Sequence, residues 1–363
     1  MPQALQGWWR VIRNFIAAVV FIAIIWSGTG QADSPQDCGQ DMDCLRQLHF
    51  HHRVKDVKYW RAFQALPIDK RILAAPAQLV DYLNLENRIQ GFPNRPRIAK
   101  PERQFLEDIN AAIREIPAAV KILINGRLMG VFLVEDLGGT GFTDYVFDEQ
   151  NEPVGAFVVL DAAVLTQSAN AWATWKENTP FMPDPEFNLQ ARIESAADDN
   201  HKQALQYILL HEFGHVASVG RDFHPRWDEW DCKKNPPQQF PFFELSWRLN
   251  DSVDCKVISR FDQSGFSHRV DVVYYFGAKL AQAVSPEVYT QLEQTNFPSL
   301  YAATIPADDF AESFVTYVHQ ILMGKPFEIR IDKQGQQLTD FRGCWGAARC
   351  AAKQAMIAQL FTQ

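Results

Sequence analysis

The chain has 363 residues, of which 47% are hydrophobic and 21% are charged. This composition is globular rather than disordered, and the length suits one large domain or two smaller ones. The formal net charge is −8 and the sequence contains no long Lys/Arg run, so a nucleic-acid partner is not expected.

The first 32 residues have the layout of a secretory signal peptide. Arg10 and Arg13 precede an unbroken apolar run at 15–26, and small and polar residues follow it as far as Ala32. The run is about 12 residues long, whereas a membrane-spanning helix needs about 20. The sequence therefore predicts cleavage after Ala32 and export, to the periplasm or as a secreted protein. An uncleaved membrane anchor is the alternative.

The cysteines agree with export. All six follow Ala32, and an even number in an oxidising compartment favours disulfide bonds. A zinc site made of cysteines is the alternative, but the chain has no CxxC pair. The simplest pairing is local: Cys38 with Cys44, Cys232 with Cys255, and Cys344 with Cys350.

The rest of the chain divides into two predicted regions. Residues 33–115 are expected to form an N-terminal leader and helical region, with a helix over 105–116. Residues 116–363 are expected to form a catalytic domain, with an insertion at about 221–300. Inside it, residues 118–161 are rich in strand-forming side chains and predict a small sheet. Residues 162–198 are expected to be irregular, and the chain is expected to be mostly helical after about 271.

A long helix is predicted from near 198–200 to about Val219, with Gly220 as its natural stop. It carries His211-Glu212-Phe213-Gly214-His215, an H-E-x-x-H motif. Side chains four residues apart lie one helical turn apart on the same face, so both imidazoles can reach one zinc ion. Glu212 is then placed to accept a proton from a water molecule. The motif predicts one bound Zn²⁺, with Glu212 as the general base.

A catalytic zinc site needs a third protein ligand. The metzincin extension would require Gly at 218 and His at 221, where this chain has Ser218 and Arg221. A second helix is predicted over 306–317, and Glu312 lies there among apolar residues. Because a carboxylate buried alone is costly, a metal ion is a natural partner for it. Glu312 is therefore the predicted third ligand.

Other acidic residues remain open for that position, namely Asp308, Asp309 and Glu244. Asp308 lies one turn before Glu312, on the same face of the predicted helix. It is predicted to accept the outer N–H of one of the two histidines and so to orient the ring, with Asp309 as the alternative for this role.

The two motifs give the chain a family resemblance. With H-E-x-x-H at 211–215 and Asp-Asp-Phe-Ala-Glu-Ser-Phe at 308–314, the chain resembles the gluzincin peptidases, and in the second motif the lethal-factor-type peptidases. The resemblance implies an α+β, zincin-like fold in which a small mixed β-sheet backs the active-site helix, followed by a mostly helical C-terminal part. It also implies that substrate lies beside an edge strand, for which 155–161 is the candidate. Position 305, one place where relatives carry a transition-state tyrosine, is Ile305.

A donor that stabilises the oxyanion is also expected. The candidates are Tyr301, Tyr317 and His319, the last because it lies seven residues after Glu312 and so on the same helix face. Taken together, the sequence predicts an exported zinc metallopeptidase that acts on a peptide or protein substrate. The alternatives are a catalytically silent binding protein with a zincin fold and a zinc hydrolase of a non-peptide amide. No membrane span is expected after signal removal.

Overall fold

The computed structural model describes residues 38–227, 231–250 and 255–362, and shows a mixed α/β protein with small sheets. The predicted signal peptide, residues 1–32, lies outside the described residues. The helices are α1 (Met42–Phe50), α2 (Arg61–Gln64), α3 (Ala77–Gln90), α4 (Arg103–Glu115), α5 (Ala118–Asn125), α6 (Ala169–Asn178), α7 (His201–Ser218), α8 (Pro241–Ser246), α9 (Ser285–Leu292), α10 (Pro306–Tyr317) and α11 (Ala351–Gln359). The strands are β1 (Ile72–Ala74), β2 (Arg97–Ile98), β3 (Leu128–Glu135), β4 (Gly141–Phe147), β5 (Pro153–Asp161), β6 (Phe181–Met182), β7 (Phe187–Arg192), β8 (Trp247–Leu249), β9 (Val257–Ser259), β10 (Leu280–Ala281), β11 (Glu328–Lys333) and β12 (Gln336–Phe341).

The largest sheet is mixed, as the sequence predicted. Its strand order is β1-β3-β5-β4, with β2 also paired to β3. Strands β1, β3 and β5 are parallel, while β4 runs antiparallel to β5 and β2 antiparallel to β3. Strand β5 is thus paired on both sides and β4 forms the edge. The prediction that 155–161 is the edge strand is therefore wrong, because strand order depends on long-range pairing that a local pattern does not encode.

Both faces of this sheet are covered. In β3, Val131 and Leu133 pack into the core that contains α7, while Phe132 packs into a second core on the opposite face. Phe132 meets the buried ring of Trp60 there, with ring centroids 5.0 Å apart. Strands buried on both faces read as continuous apolar runs, which is the pattern in this part of the sequence.

Helix α7 lies on one face of the sheet and begins and ends close to the predicted residues. The Asn200 side chain caps it by accepting the backbone N–H of Gln203 at 3.2 Å. Gly220 follows its end with a positive φ of 64°. Gly214 allows close packing against α10, because an added Cβ would lie only 2.8 Å from Ala311 Cα.

Three segments differ from the prediction. Residues 118–125 form α5 rather than a strand, because a short apolar run does not distinguish the two and Pro117 precedes two alanines that favour a helix. Residues 162–198 are not wholly irregular, since they contain α6 and β7. The C-terminal part is not helical throughout, because β11 and β12 form a hairpin that pairs with β7. Gln334 and Gly335 both have positive φ in its two-residue turn.

The three predicted disulfide bonds are present. They join Cys38 to Cys44, Cys232 to Cys255, and Cys344 to Cys350, with Cα–Cα distances of 5.6, 5.8 and 5.8 Å. This agrees with an extracellular, oxidising environment. Among the described residues, no helix combines the length and apolar character needed to cross a membrane.

Candidate metal centre

Two histidines from α7 and an aspartate from α10 converge in space. Candidate ligand atoms of His211, His215 and Asp308 all lie within 4.8 Å of one another. The Asp308 Oδ1 atom is 3.5 Å from His215 Nε2 and 3.9 Å from His211 Nε2. The close approach of α7 and α10 at Gly214 brings these side chains together.

Glu312 lies behind this group rather than in it. Its Oε1 atom is 2.9 Å from His211 Nδ1, which leaves His211 Nε2 on the side of Asp308. The placement of the two carboxylates is thus the reverse of the prediction: Asp308 lies with the histidines, and Glu312 contacts Nδ1 of the His211 ring. The physical reason is how deeply each side chain is buried. Glu312 is fully buried one turn further along α10, whereas the Asp308 side chain remains 13% exposed.

Asp309 does not take part in the centre. Although it neighbours Asp308 in sequence, it faces the other side of α10, where Lys353 Nζ and Trp247 Nε1 donate to its carboxylate. Both Asp309 and Lys353 are fully buried. The suggested role of Asp309 in orienting a histidine is therefore not supported by its position.

The Glu312 carboxylate is surrounded by donors and a cation. Ser299 Oγ donates to its Oε2 atom, and Lys176 Nζ lies 3.7 Å from Oε1. Burial alone would raise the pKa of Glu312, but Lys176, His211 and Ser299 outweigh it and hold that pKa at about 2. Burial likewise opposes the charged form of His211, yet the hydrogen bond and charge of Glu312 raise the pKa of this imidazole. The carboxylate is therefore ionised and a strong acceptor for the ring.

Lys176 belongs to a buried network behind the centre. It contacts Glu177 Oε1 at 3.1 Å, and the hydroxyls of Tyr274 and Tyr289 donate to Glu177 Oε2 at 2.7 and 2.8 Å. Burial opposes the charge of Lys176, but the nearby carboxylates, Glu312 foremost, raise its pKa above the usual value. Lys176 is thus a buried cation next to the candidate metal centre.

Glu212 points toward the edge strand of the main sheet. Thr143 Oγ1 of β4 donates to its Oε2 atom, and an added Cβ at Gly141 would clash with its Oε1 atom. The side chain is almost buried, with 6% exposure. Gly141 and Thr143 therefore make room for the carboxylate and fix its orientation.

A cavity of about 370 Å³ opens beside these groups, within the usual size range of ligand pockets. Its walls include His211, Glu212 and Lys176 together with the aromatic residues Tyr275 and Tyr301. A ligand in this cavity would contact the first histidine and the glutamate of the H-E-x-x-H motif at the same time.

Of the three predicted oxyanion donors, only Tyr301 lines the cavity. Its ring lies 5.6 Å from that of His211. Burial raises its pKa well above the usual value, and Asp308 adds to this, so the phenol stays protonated and can donate. Tyr317 packs against Trp345 and Phe361 instead.

His319 is not among the residues that line the cavity. It is buried, and its Nε2 atom donates to the Ile193 carbonyl oxygen at 2.7 Å. The prediction assumed α-helical spacing from Glu312, but the chain changes to a π-helix at Val318–Leu322. A π-helical turn alters the phase of the side chains, so the seven-residue rule fails here.

The donor chemistry of the centre fits zinc. Two imidazoles and one carboxylate are a common ligand set of catalytic zinc sites, which keep a further position open for water or substrate. The surroundings also favour a cation, because four carboxylates, those of Asp308, Glu312, Glu212 and Glu177, lie near His211 or Lys176 and give this part of the described structure an excess of carboxylates over lysines and arginines. A divalent cation would offset this excess.

Four residues of the site were missed in the sequence. Lys176 and Ser299 lie in segments without a regular signal, while Thr143 and Tyr275 approach the motif only through the tertiary fold. The one available clue was Lys176, which lies among the tryptophans of 169–178. A lysine that is buried in such a helix almost always has a partner of opposite charge.

Comparisons with known proteins leave the family undecided. No family model, curated protein or solved structure matches this chain. The gluzincin resemblance therefore stays a prediction based on the two motifs.

Proposed function

We propose that this protein is an exported zinc-dependent metallopeptidase. The observation that carries the proposal is the convergence of His211, His215 and Asp308, with Glu212 beside them on the wall of a ligand-sized cavity. Of the groups that hydrolyse amides, this set matches a water-activating metal site best.

In this proposal His211, His215 and Asp308 hold the ion. When bound, zinc makes water more acidic and polarises a carbonyl oxygen. Glu312 orients the His211 ring through its hydrogen bond to Nδ1, and Lys176 keeps the Glu312 carboxylate ionised. These outer groups thus prepare the ligand set before substrate arrives.

The protein's own proton carrier is Glu212. It accepts a proton from the attacking water and later donates it to the amine that leaves. Thr143 holds the Glu212 carboxylate in one orientation. Less conformational freedom is therefore lost when the reactive geometry forms. Tyr301 is the proposed donor to the carbonyl oxygen as negative charge develops on it.

An extended peptide is favoured as substrate by strand β4. This strand forms an edge of the main sheet and also carries Gly141 and Thr143, the two residues that contact Glu212. An edge strand offers unpaired backbone groups to which a peptide can add as a further strand. A peptide bound in this way would pass directly beside the proton carrier.

Export completes the proposal. The three disulfide bonds agree with an extracellular environment. Together with the signal-like N-terminal pattern, they support the periplasm or the medium as the place of action.

The test is Glu212→Gln, assayed on a random-sequence library of fluorogenic peptides. We expect zinc content to stay at the wild-type level while hydrolysis falls by about 10²–10⁴-fold, the usual contribution of a general base. Glu244→Gln is the matched control and should remain active, because this half-buried glutamate of α8 lies near Arg260 and does not join the candidate ligands, although the sequence left it open as one. Hydrolysis retained by Glu212→Gln would rule out the mechanism. Zinc binding by a wild-type protein without any hydrolysis would favour the silent binding protein instead.

A further inference from the structure

Tyr275 has an unusual backbone conformation. Its φ is +66°, and the backbone N–H of Phe276 donates to the Tyr274 carbonyl at 2.8 Å. This bond makes Tyr275 the apex of a γ-turn with positive φ, a rare and strained form. A bulky side chain in the left-handed region costs about 1–3 kcal/mol and persists only where the surroundings enforce it.

The surroundings of the turn do enforce it. The Tyr275 ring packs between Trp175 of α6, at 5.6 Å, and Tyr301, at 6.1 Å between ring centroids. The next residue, Phe276, stacks on Phe92 at 5.6 Å. Aromatic contacts on both sides thus hold the apex in place, and the Tyr275 side chain forms part of the cavity wall.

The Tyr275 hydroxyl makes no hydrogen bond with any group in residues 38–227, 231–250 and 255–362. Burial first, and then the charges of Glu177, Glu312, Asp308 and Glu212, raise its pKa well above the usual value. The phenol is therefore a protonated donor on the wall of the cavity that His211 and Glu212 also line.

We propose that Tyr275 is a second oxyanion donor, whose hydroxyl donates to the scissile carbonyl oxygen, together with Tyr301, as negative charge develops there. The inference rests on the proposed peptidase function. The two phenol rings are neighbours on the cavity wall, with centroids 6.1 Å apart. The strained turn serves to fix the hydroxyl before substrate binds, so little reorganisation is needed when charge develops.

The test is Tyr275→Phe, which removes the hydroxyl and keeps the ring contacts. We expect kcat on the best peptide of the library to fall by about 10–100-fold with little change in KM, because the bond strengthens as charge develops. Zinc content and melting temperature should stay at their wild-type values. Tyr59→Phe is the matched control, since Tyr59 is also partly buried but packs on Trp60, away from the cavity.

The outcomes separate the two proposals. If the wild type cleaves peptides through Glu212 and Tyr275→Phe has the same kcat, this inference is wrong while the peptidase proposal stands. A raised KM at constant kcat would also overturn it, because that pattern indicates ground-state binding alone. If no Glu212-dependent hydrolysis exists, the peptidase proposal fails and this inference fails with it.

Discussion

The two sides of helix α10 bury carboxylates in different ways. On one side, Asp309 forms an ion pair with Lys353, one negative charge against one positive charge. On the other side, Asp308 and Glu312 face α7, and among the described residues the nearby carboxylates outnumber Lys176, the lysine that contacts Glu312. The first side is balanced without a ligand, whereas the second is not. A buried excess of negative charge is costly, so the difference supports the second side as the place of the proposed metal ion.

The pKa shifts show the same contrast. Burial raises the pKa of Asp309 and lowers that of Lys353, so desolvation outweighs the attraction within this pair. For Glu312 the neighbouring charges outweigh burial, and its pKa falls to about 2. The side with the excess of carboxylates is thus also the side on which Glu312 stays firmly ionised, as the partner of a metal-binding histidine requires.

The largest expected effect concerns the balanced side. Lys353→Met should lower the free energy of unfolding by about 3–5 kcal/mol, because it leaves Asp309 buried without its partner. Denaturant titration measures this, and zinc content of the folded protein should not change. Lys202→Met is the control, since Lys202 and Glu115 form an exposed pair whose loss should cost no more than about 1 kcal/mol. Loss of zinc from folded Lys353→Met would mean that the two sides are coupled.

The next largest effect is a pH dependence of the free energy of unfolding, caused by His319, which follows α10 in the chain. Burial lowers the pKa of His319 to about 4, and its Nδ1 atom has no hydrogen-bond partner among the described residues. Between pH 6.5 and 4 the unfolded chain binds the proton and the folded one does not, so His319 stabilises the fold above pH 6.5 and loses this contribution as pH falls. The loss should reach about 3 kcal/mol. Unfolding titrations of the wild type and His319→Gln should differ in slope over this range, and parallel curves would contradict the assignment.

The smallest expected effect distinguishes the roles of Asp308 and Glu312, the two carboxylates of α10 that face α7. Glu312→Gln keeps an acceptor for His211 Nδ1 but removes the charge, so zinc affinity should fall by about 10–100-fold. Competition with a chromogenic chelator measures the affinity, and Glu244→Gln again serves as the control. Unchanged affinity would mean that Glu312 does not tune the ring. A loss far beyond 100-fold would instead restore Glu312 as a direct ligand, as the sequence suggested.

How much of the site the sequence could predict depends on how far apart in the chain the interacting residues lie. The positions of His211, Glu212 and His215 follow from spacing within one helix, so the motif predicted them directly. Asp308 and Glu312 could not be separated, because both lie on one face of α10 and only the depth of its packing against α7 decides which reaches Nε2. The local pattern predicts that a carboxylate is needed, but not which one.

The same distinction applies to the fold. The ends of α7 were predictable because Asn200 and Gly220 act within a few residues of it. The edge position of β4 was not, since strand order is set by pairing between distant segments. The cysteine pairs were predictable because two of the three join residues only six apart and the third 23 apart. The position of Tyr275 was not predictable, because no local sequence pattern indicates a strained γ-turn at a tyrosine.

The most direct test of the central claim is the zinc content of Asp308→Ala beside that of the wild type. Both proteins would be purified, stripped with a chelator, shown to be folded by circular dichroism and titrated with Zn²⁺. The wild type should bind about one ion per chain, as a single three-ligand site predicts. Asp308→Ala should stay folded and bind zinc at least about 100-fold more weakly, because two histidines alone hold the ion poorly. Wild-type affinity in the folded variant would contradict the assignment of Asp308 and, with it, the metal centre described for α7 and α10.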